Sequence, residues 1–212
     1  MARPKSNIRE RLLAAARKRF LMHGVDGASL RDIGKDARTS AAMVTYWFRT
    51  KDELFLAVVE ETYVHIMAGI RAAMEQEPVP VGYTQSVERL IRAVHGITDV
   101  QFQVMRIILR EAMISSKRLA VLFKRFSGED GHVALMWRIV GQGVVSGELR
   151  DDVPPMILVA STMALLVAPL MARKLIFEQL TDLEAPGPAE VAGWITKVLT
   201  QGVLAGPRPG SG

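Results

Sequence analysis

Two serines, Ser29 and Ser40, each stand directly before a short run whose apolar residues recur at helical spacing. Serine is a preferred N-cap residue, because its side-chain oxygen accepts a hydrogen bond from an unpaired backbone N–H in the first helical turn. The pattern predicts a capped helix over 29–37, a short turn at 38–39 and a third helix beginning at Ser40. Two short helices joined by such a turn have the layout of a helix-turn-helix.

The stretch SAAMVTYWF (residues 40–48) has two chemically different sides when it is drawn as a helix. At about 100° per residue, Trp47 and Phe48 flank Val44 and form the large apolar side. The opposite side carries small or hydroxyl-bearing residues: Ala42, Thr45 and Tyr46. A helix that enters the major groove of DNA, which is about 12 Å wide, needs small residues near its N-terminus and hydrogen-bonding groups on its outer face. The stretch therefore predicts a helix that packs through Val44 and meets DNA through its outer face.

The charge distribution agrees with this interpretation. Residues 1–51 hold twelve Lys and Arg against four Asp and Glu, a net charge of +8, so that with +5 for the whole chain the remainder carries −3. A basic N-terminal segment on a slightly acidic body is typical of a polyanion-binding module joined to a part with another task. A charged surface that is merely solvated is the alternative.

The rest of the chain favours helices as well. Almost every long segment has the apolar spacing of a helix, and no run shows the strict alternation typical of a strand, so we predict an all-α protein. Helices are predicted at about 7–22, 29–37, 40–48, 52–74, 84–97, 99–114, 117–145, 155–180 and 188–204. Gly24 is expected to end the first of them.

The segment VPPMILVASTMALLVAPLMA (residues 153–172) has no charged residue and is long enough to be considered as a membrane span. Prolines at 154, 155 and 169 argue against a span, and no other segment is comparably apolar. We expect instead a helix that is buried partly by a second subunit, paired with the apolar stripe of the last helix. The predicted dimer interface consists of Leu158, Leu165, Leu166, Val191, Trp194, Ile195 and Val198.

Residues 8–58 resemble the N-terminal domain of the tetracycline-repressor (TetR) family of bacterial regulators. The matching segments are IRERLLAAARKRFLMHG, then SLRDIGKDA, then SAAMVTYWF and RTKDEL, in this order and at the family's spacing. The resemblance covers about a quarter of the chain, and beyond it only the helical layout and the length agree. It implies a three-helix DNA-binding head over 1–51 and a larger helical domain for effector binding and dimerisation over 52–205. The closing residues, 206–212, have the composition of a disordered tail.

The resemblance also implies which residues meet DNA. The cap of the second helix and the lysine that heads the fourth are expected to contact phosphates, and the outer face of the third helix is expected to contact bases and phosphates. The predicted DNA-binding residues are Ser29, Arg38, Thr39, Ser40, Ala41, Ala42, Thr45, Tyr46 and Lys51.

Two of these positions depart from the family. Arg38 stands where the family usually has glycine. An arginine there costs little if its φ is negative, and it is a candidate for an added phosphate contact. Thr45 stands where the family usually has tyrosine, so the operator sequence cannot be taken from relatives.

The resemblance further implies a homodimer, an inverted-repeat operator in double-stranded DNA and a small-molecule effector of unknown identity, largely apolar in character. Candidate effector-pocket residues are Tyr63, Met67, Phe102, Met105, Arg106, Met136, Trp137 and Met163, although methionines and aromatics also fill ordinary cores. Arg106, Arg110 and Glu111 lie on one stretch, and an arginine there is a candidate partner for an acidic ligand; exposed helix-surface charges are the commoner case.

No enzyme site emerges from the sequence. It has no cysteine, no Gly-rich phosphate loop, no HExxH and no G-x-S-x-G, and its histidines lack metal-ligand spacing, so we expect no catalytic residues, no metal and no cofactor. The absence of cysteine and of an apolar leader favours a cytoplasmic protein without a membrane partner. A soluble helical ligand-binding protein that does not read DNA, and a membrane-anchored protein, remain the alternative interpretations.

Overall fold

The computed structural model describes residues 6–177, 184 and 186–201, and all secondary structure within these ranges is helical. The prediction of an all-α fold is confirmed, and the predicted disordered tail, 206–212, lies outside the described residues. The helices are α1 (Ser6–Gly27), α2 (Leu30–Asp36), α3 (Ala41–Trp47), α4 (Lys51–Glu75), α5 (Gly82–His95), α6 (Asp99–Ile114), α7 (Ser116–Phe126), α8 (His132–Val145), α9 (Pro155–Ala172), a π-helical turn (Arg173–Phe177) and α10 (Pro188–Gln201).

One predicted helix, 117–145, is wrong, because the structure has two helices there, α7 and α8. The interruption falls on the sequence SGEDG, where the Gly131 N–H donates to the Gly128 carbonyl and closes a turn. Glycine costs a helix interior about 1 kcal/mol relative to alanine, so two glycines so close together favour a break over continuation. Gly131 then serves as the N-cap of α8.

The chain divides into two compact units. The first ends at Met67, inside α4, and also includes Thr98–Phe126, which contains α6 and α7; the second comprises Ala68–Ile97 and the residues from Ser127 onward. The first unit is larger than the expected 1–51 head because α4 and α6 bury apolar side chains, such as Phe55 and Ile107, in the same core as α1–α3.

The core of the first unit holds the short helices in place. Phe20 of α1 and Phe55 of α4 meet edge to face with ring centroids 6.3 Å apart, and both are buried. Val44 of α3 is fully buried beside this pair in the same cluster, and Phe48, which follows α3, is nearly so. The apolar side of the 40–48 stretch therefore faces the core as predicted, which leaves the other side of α3 to solvent.

The second unit is built around α5, which packs against α8, α9 and α10. The Tyr83 hydroxyl lies 2.8 Å from Thr162 Oγ1, and Thr162 in turn donates to the Leu158 carbonyl. Close approach of α5 and α8 requires Gly143, because a Cβ there would lie 2.7 Å from that of Tyr83. The helix α9 continues through Pro169 before the π-helical turn.

Candidate nucleic-acid interface

The outer face of α3 is exposed along its whole length. The predicted contact residues of this face are all open to solvent: Ser40, Ala41, Ala42, Thr45 and Tyr46. Tyr46 is 77% exposed, and its ring is held edge to face against that of Trp47, with centroids 6.2 Å apart. A short helix is thus presented with small residues at its start and hydroxyl groups further along.

Thr45 is already engaged within the helix. Its Oγ1 donates a 3.2 Å hydrogen bond to the carbonyl of Ala41. This bond uses the single proton of the hydroxyl. Groups outside the helix can therefore only donate hydrogen bonds to the lone pairs of Oγ1. In the major groove the donors are the amino groups of adenine and cytosine, which restricts what Thr45 can recognise.

Both predicted caps are formed. Ser29 Oγ accepts from the Asp32 N–H at 3.4 Å, and Ser40 Oγ accepts from the Met43 N–H at 3.2 Å. Both serines are exposed, so the first turns of α2 and α3 present backbone N–H groups at the surface. Such helix starts are suited to binding phosphate oxygens.

The turn between α2 and α3 is a Schellman motif. The Thr39 N–H donates to the Gly34 carbonyl at 2.9 Å, and the Arg38 N–H donates to the Lys35 carbonyl at 3.0 Å. Arg38 has φ 54°, so the condition under which a residue other than glycine costs little here, a negative φ, is not met. This motif places its C′ residue in the left-handed region, where a residue with a Cβ is disfavoured by about 1–2 kcal/mol. Arg38 is exposed and Thr39 half-buried.

Two further contacts hold α2 in its place. Arg19 of α1 forms a bidentate pair with Asp36, with distances of 2.6 Å from Nε and 2.9 Å from Nη2, and this hydrogen-bonded pair lowers the pKa of Asp36. Gly34 allows α3 to start close by, since a Cβ at this position would lie 3.0 Å from the main-chain carbonyl carbon of Ser40. The relative placement of α2 and α3 is fixed within the head itself.

Lys51, the predicted phosphate contact at the start of α4, also has an internal task. Its Nζ donates to the main-chain carbonyl of Asp26 at 2.7 Å and to that of Ala28 at 3.2 Å. An ammonium group has three protons, so one donor is left for an outside acceptor. The side chain therefore connects α4 to the end of α1.

A cluster that sequence reasoning missed surrounds the same segment. Arg118 of α7 contacts the carboxylates of Asp26, Asp52 and Glu111. Glu111 is 2% exposed, so the interpretation of this position as a surface charge is wrong. No local signal marks this cluster, because its members come from four helices, and Arg118 lies 66 residues from Asp52 and 92 from Asp26 in sequence.

The candidate effector residues are divided between the units. Tyr63, Met67, Phe102, Met105 and Arg106 belong to the first unit, and Met136, Trp137 and Met163 to the second. The ring of Tyr63 packs against that of Phe126 with centroids 4.3 Å apart, and its hydroxyl donates to the Phe126 carbonyl, which is a packing role.

The second unit has an open groove of about 860 Å³, and none of the candidate effector residues lines it. Its walls include Val81, Gly82, Val145 and Glu148. In the described residues no group of three His, Asp or Glu has the arrangement of a metal site.

The candidate dimer residues lie in the second unit and differ in accessibility. Leu166, Val191 and Ile195 are buried within the subunit, and Leu158 and Leu165 are half-buried. Trp194 is 57% exposed, and Val198 is also exposed.

The segment Pro155–Ile176 is long and apolar enough to cross a membrane. The mean hydropathy of its most apolar 18-residue stretch is 2.0, and 17% of that stretch is buried.

Comparisons with known proteins point in one direction. Residues 12–58 match the family described as "Bacterial regulatory proteins, tetR family". The probable HTH-type transcriptional regulator YttP of Bacillus subtilis (strain 168) is 24% identical over 132 residues, which cover 61% of this chain and 62% of that protein. The match thus spans less than two thirds of that relative.

Solved structures of low sequence identity share the fold. The fatty acid degradation regulator FadR from Bacillus halodurans superposes with a TM-score of 0.70 at 12% identity, covering 96% of this chain and 98% of that one. Salmonella enterica GusR gives 0.67 at 19% identity, covering 96% and 98%. FadR from Bacillus subtilis, in complex with stearoyl-CoA, gives 0.61 at 9% identity, covering 92% and 99%. At these identities the likeness extends to the fold alone.

Proposed function

The chain carries the helix-turn-helix DNA-binding domain of the tetR family of bacterial regulatory proteins, and on this premise we propose that it is a transcriptional repressor that binds DNA as a homodimer. Residues 1–51 read an inverted-repeat operator, and residues 52–205 dimerise and bind a small, largely apolar effector that releases the DNA. The protein acts in the cytoplasm, where the DNA is, and as a regulator rather than an enzyme.

The observation that carries the proposal is the division of α3 into a buried and an exposed side. Val44 is fully buried and Tyr46 is 77% exposed, so the helix is anchored by its apolar side while its other side is free to enter a groove. Ala41 and Ala42 can approach thymine methyl groups, and Thr45 can accept from an adenine or cytosine amino group. The side chains of this face therefore supply direct readout.

Charge and helix starts supply the positioning contacts. The +8 charge of residues 1–51 attracts the phosphate backbone, and the capped starts of α2 and α3 offer backbone N–H groups to it. Arg38 and the remaining proton of Lys51 add charged donors beside these starts. Such contacts orient the head without selecting a base sequence.

The apolar surface of α9 and α10 supports the homodimer. Trp194 and Val198 of α10 and Met156 and Ile157 of α9 are exposed, although α9 has no charged residue. Large aromatic and aliphatic side chains of this kind are the usual anchors of an interface. A two-fold dimer presents two heads to two half-sites about one DNA turn apart.

An apolar effector would act by binding more tightly to the dimer at one separation of its two heads than at another. The second unit is rich in apolar helices, and methionines such as Met136 and Met163 adapt to irregular apolar ligands. Because FadR of Bacillus subtilis, which shares the fold, was solved with stearoyl-CoA, stearoyl-CoA and free long-chain fatty acids are the first probes to try for release of bound DNA.

The test is selection of bound duplexes from a random DNA pool at near-physiological salt, with the wild-type chain and Thr45→Val in parallel. We expect an enriched inverted repeat whose affinity falls steeply with salt. The isosteric Thr45→Val should keep the repeat and its spacing and lose preference at one base pair of each half-site. A pool without enrichment at any salt concentration would refute the proposal and favour a helical ligand-binding protein that does not read DNA.

A further inference from the structure

The end of α1 is distorted at Gly24, which has φ 72° and ψ 175° inside the helix. The distortion directs the N–H of Val25 away from the helix, and the side chain of Glu111 in α6 accepts it at 3.1 Å. Both residues are buried, so the carboxylate satisfies a main-chain donor that would otherwise be costly. Arg110, the neighbour of Glu111, lies over Gly24, since a Cβ there would be 3.0 Å from its Nη2.

The guanidinium of Arg118 contacts acidic side chains on three helices, α1, α4 and α6. Arg118 of α7 donates from Nη1 to Glu111 Oε2 at 2.8 Å and from Nε to Asp52 Oδ1 at 2.9 Å. It also holds Asp26, the residue after Val25, in a bidentate pair with distances of 2.5 and 3.0 Å. The Arg118 side chain is 13% exposed, so this is an ordered contact rather than a loose surface pair.

The partners of Arg118 are the residues that border the DNA-contacting groups. Asp52 follows Lys51, the predicted phosphate contact, and the carbonyl of Asp26 accepts from the same Lys51. The helix-turn-helix has its own internal contacts, the Arg19–Asp36 pair and the core around Val44. Arg118 therefore contacts the head at its edge, without contributing to the placement of α2 against α3.

Stability does not account for the contacts of Arg118 with Asp26 and Asp52. Asp26 and Asp52 are 75% and 52% exposed, and ion pairs at such sites contribute little to folding free energy. Bidentate and shared guanidinium contacts are geometrically specific. Such contacts therefore fix the relative orientation of the groups they join more than they raise the free energy of unfolding.

We propose that Arg118 is a positioning residue for operator binding, which holds the helix-turn-helix as a unit in a fixed orientation against α6 and α7. This role rests on the proposed function, because it has meaning only if two heads must meet two half-sites at once. Without Arg118 each head still reads its half-site, but the pair no longer favours one half-site spacing.

The test uses a variant that removes the cation without leaving a buried charge. Removing Arg118 alone would strand the Glu111 carboxylate, which is destabilising. The double variant Glu111→Gln with Arg118→Met avoids this, since the glutamine oxygen can still accept from Val25. Arg125→Met is the matched control, because Arg125 lies on the same helix and forms an exposed pair with Glu60, with 58% and 45% of the side chains exposed.

Affinity is measured for single half-site duplexes and for full operators whose spacer is native, or longer or shorter by one base pair. We expect Arg125→Met to behave like wild type apart from a general loss of affinity common to all duplexes. The double variant should bind half-sites within about threefold of Arg125→Met, lose about tenfold or more on the native operator, and discriminate less between spacers.

Three outcomes would overturn this role. Equal losses for the double variant and Arg125→Met on every duplex would show that Arg118 contributes charge only. Equal losses of the double variant on half-sites and full operators would show that it supports folding of the head. In both cases wild-type binding to the operator would leave the proposed function intact, whereas failure of the wild-type chain to bind any duplex would refute the proposed function and this role together.

Discussion

The ammonium of Lys51 lies 2.7 Å from the main-chain carbonyl oxygen of Asp26, so the first residue of α4 is hydrogen-bonded to the end of α1. A second bond, to the carbonyl of Ala28, places this lysine just before the cap of α2. One side chain thus connects α4 to the end of α1 and to the residue before the cap of α2, and it keeps one proton for DNA. Its removal therefore tests both roles.

Lys51→Ala should lower both stability and DNA affinity. Loss of two charge-assisted hydrogen bonds is expected to reduce the free energy of unfolding by about 1 kcal/mol in urea denaturation. DNA binding should weaken about equally across sequences, and the slope of log affinity against log salt should fall by about 1. Lys18→Ala, which removes an exposed lysine of α1, should leave stability unchanged. Unaltered DNA affinity of Lys51→Ala at several salt concentrations would remove Lys51 from the DNA interface.

Arg38→Gly should stabilise the free protein. At φ 54° glycine avoids the left-handed penalty of a side chain, and we expect a gain of about 1 kcal/mol in the free energy of unfolding. Arg38→Ala is the matched control, because it removes the same charge and keeps the penalty. Both variants should lose the same phosphate contact, seen as an equal loss of DNA affinity. If the two variants unfold at the same denaturant concentration, the backbone strain assigned to Arg38 is absent.

His95 should make the protein less stable in mild acid. It is 1% exposed, and burial together with the charge of Arg173 lowers its pKa to about 4, against about 6.5 in an unfolded chain. Between these values the unfolded chain binds more protons than the folded one, so stability falls as pH drops through this window, by up to about 3 kcal/mol.

The measurement is chemical denaturation at pH 7.5 and at pH 4.5 for wild type and His95→Leu. The variant should lose less stability between the two pH values, because leucine has no proton to bind. His65→Leu, at an exposed position of α4, should keep the wild-type difference. Equal losses for wild type and His95→Leu would show that other groups, such as His132, whose pKa burial also lowers, dominate the acid response.

Trp194→Asp should dissociate the proposed dimer. The indole is 57% exposed on α10, and a carboxylate placed in an apolar interface is costly, so we expect the dimer Kd to rise about 30-fold or more. Met113→Asp is the matched control, because it adds the same charge at an 89% exposed position of α6. Sedimentation velocity over a dilution series measures the change. Identical sedimentation of Trp194→Asp and wild type would place the dimer interface elsewhere.

The local elements of the DNA-reading head were predictable from the sequence for a physical reason. A cap such as Ser29 or Ser40 acts on a backbone N–H only three residues away. The apolar side of α3 follows from the helical period. Each of these signals is complete within one or two turns of helix.

Two other features of the chain gave no such signal. The left-handed φ of Arg38 is imposed by the Schellman turn, and the sequence there shows an arginine where glycine is usual. The break between α7 and α8 was masked by apolar spacing that runs on both sides of SGEDG. In both places the backbone adopts the conformation that the connection between two packed helices requires.

The sequence by itself determined an all-helical chain with a capped helix-turn-helix, a basic N-terminal segment and an uncharged apolar helix near the C-terminus. Only the tertiary structure decided that Glu111 is buried, that Arg118 meets Asp26 and Asp52, and that Lys51 holds the end of α1. Neighbouring residues determine the helical period and the caps, whereas the partners of a charged side chain depend on which helices pack together. That choice is made by burial of the shared core, and no short stretch of sequence contains it.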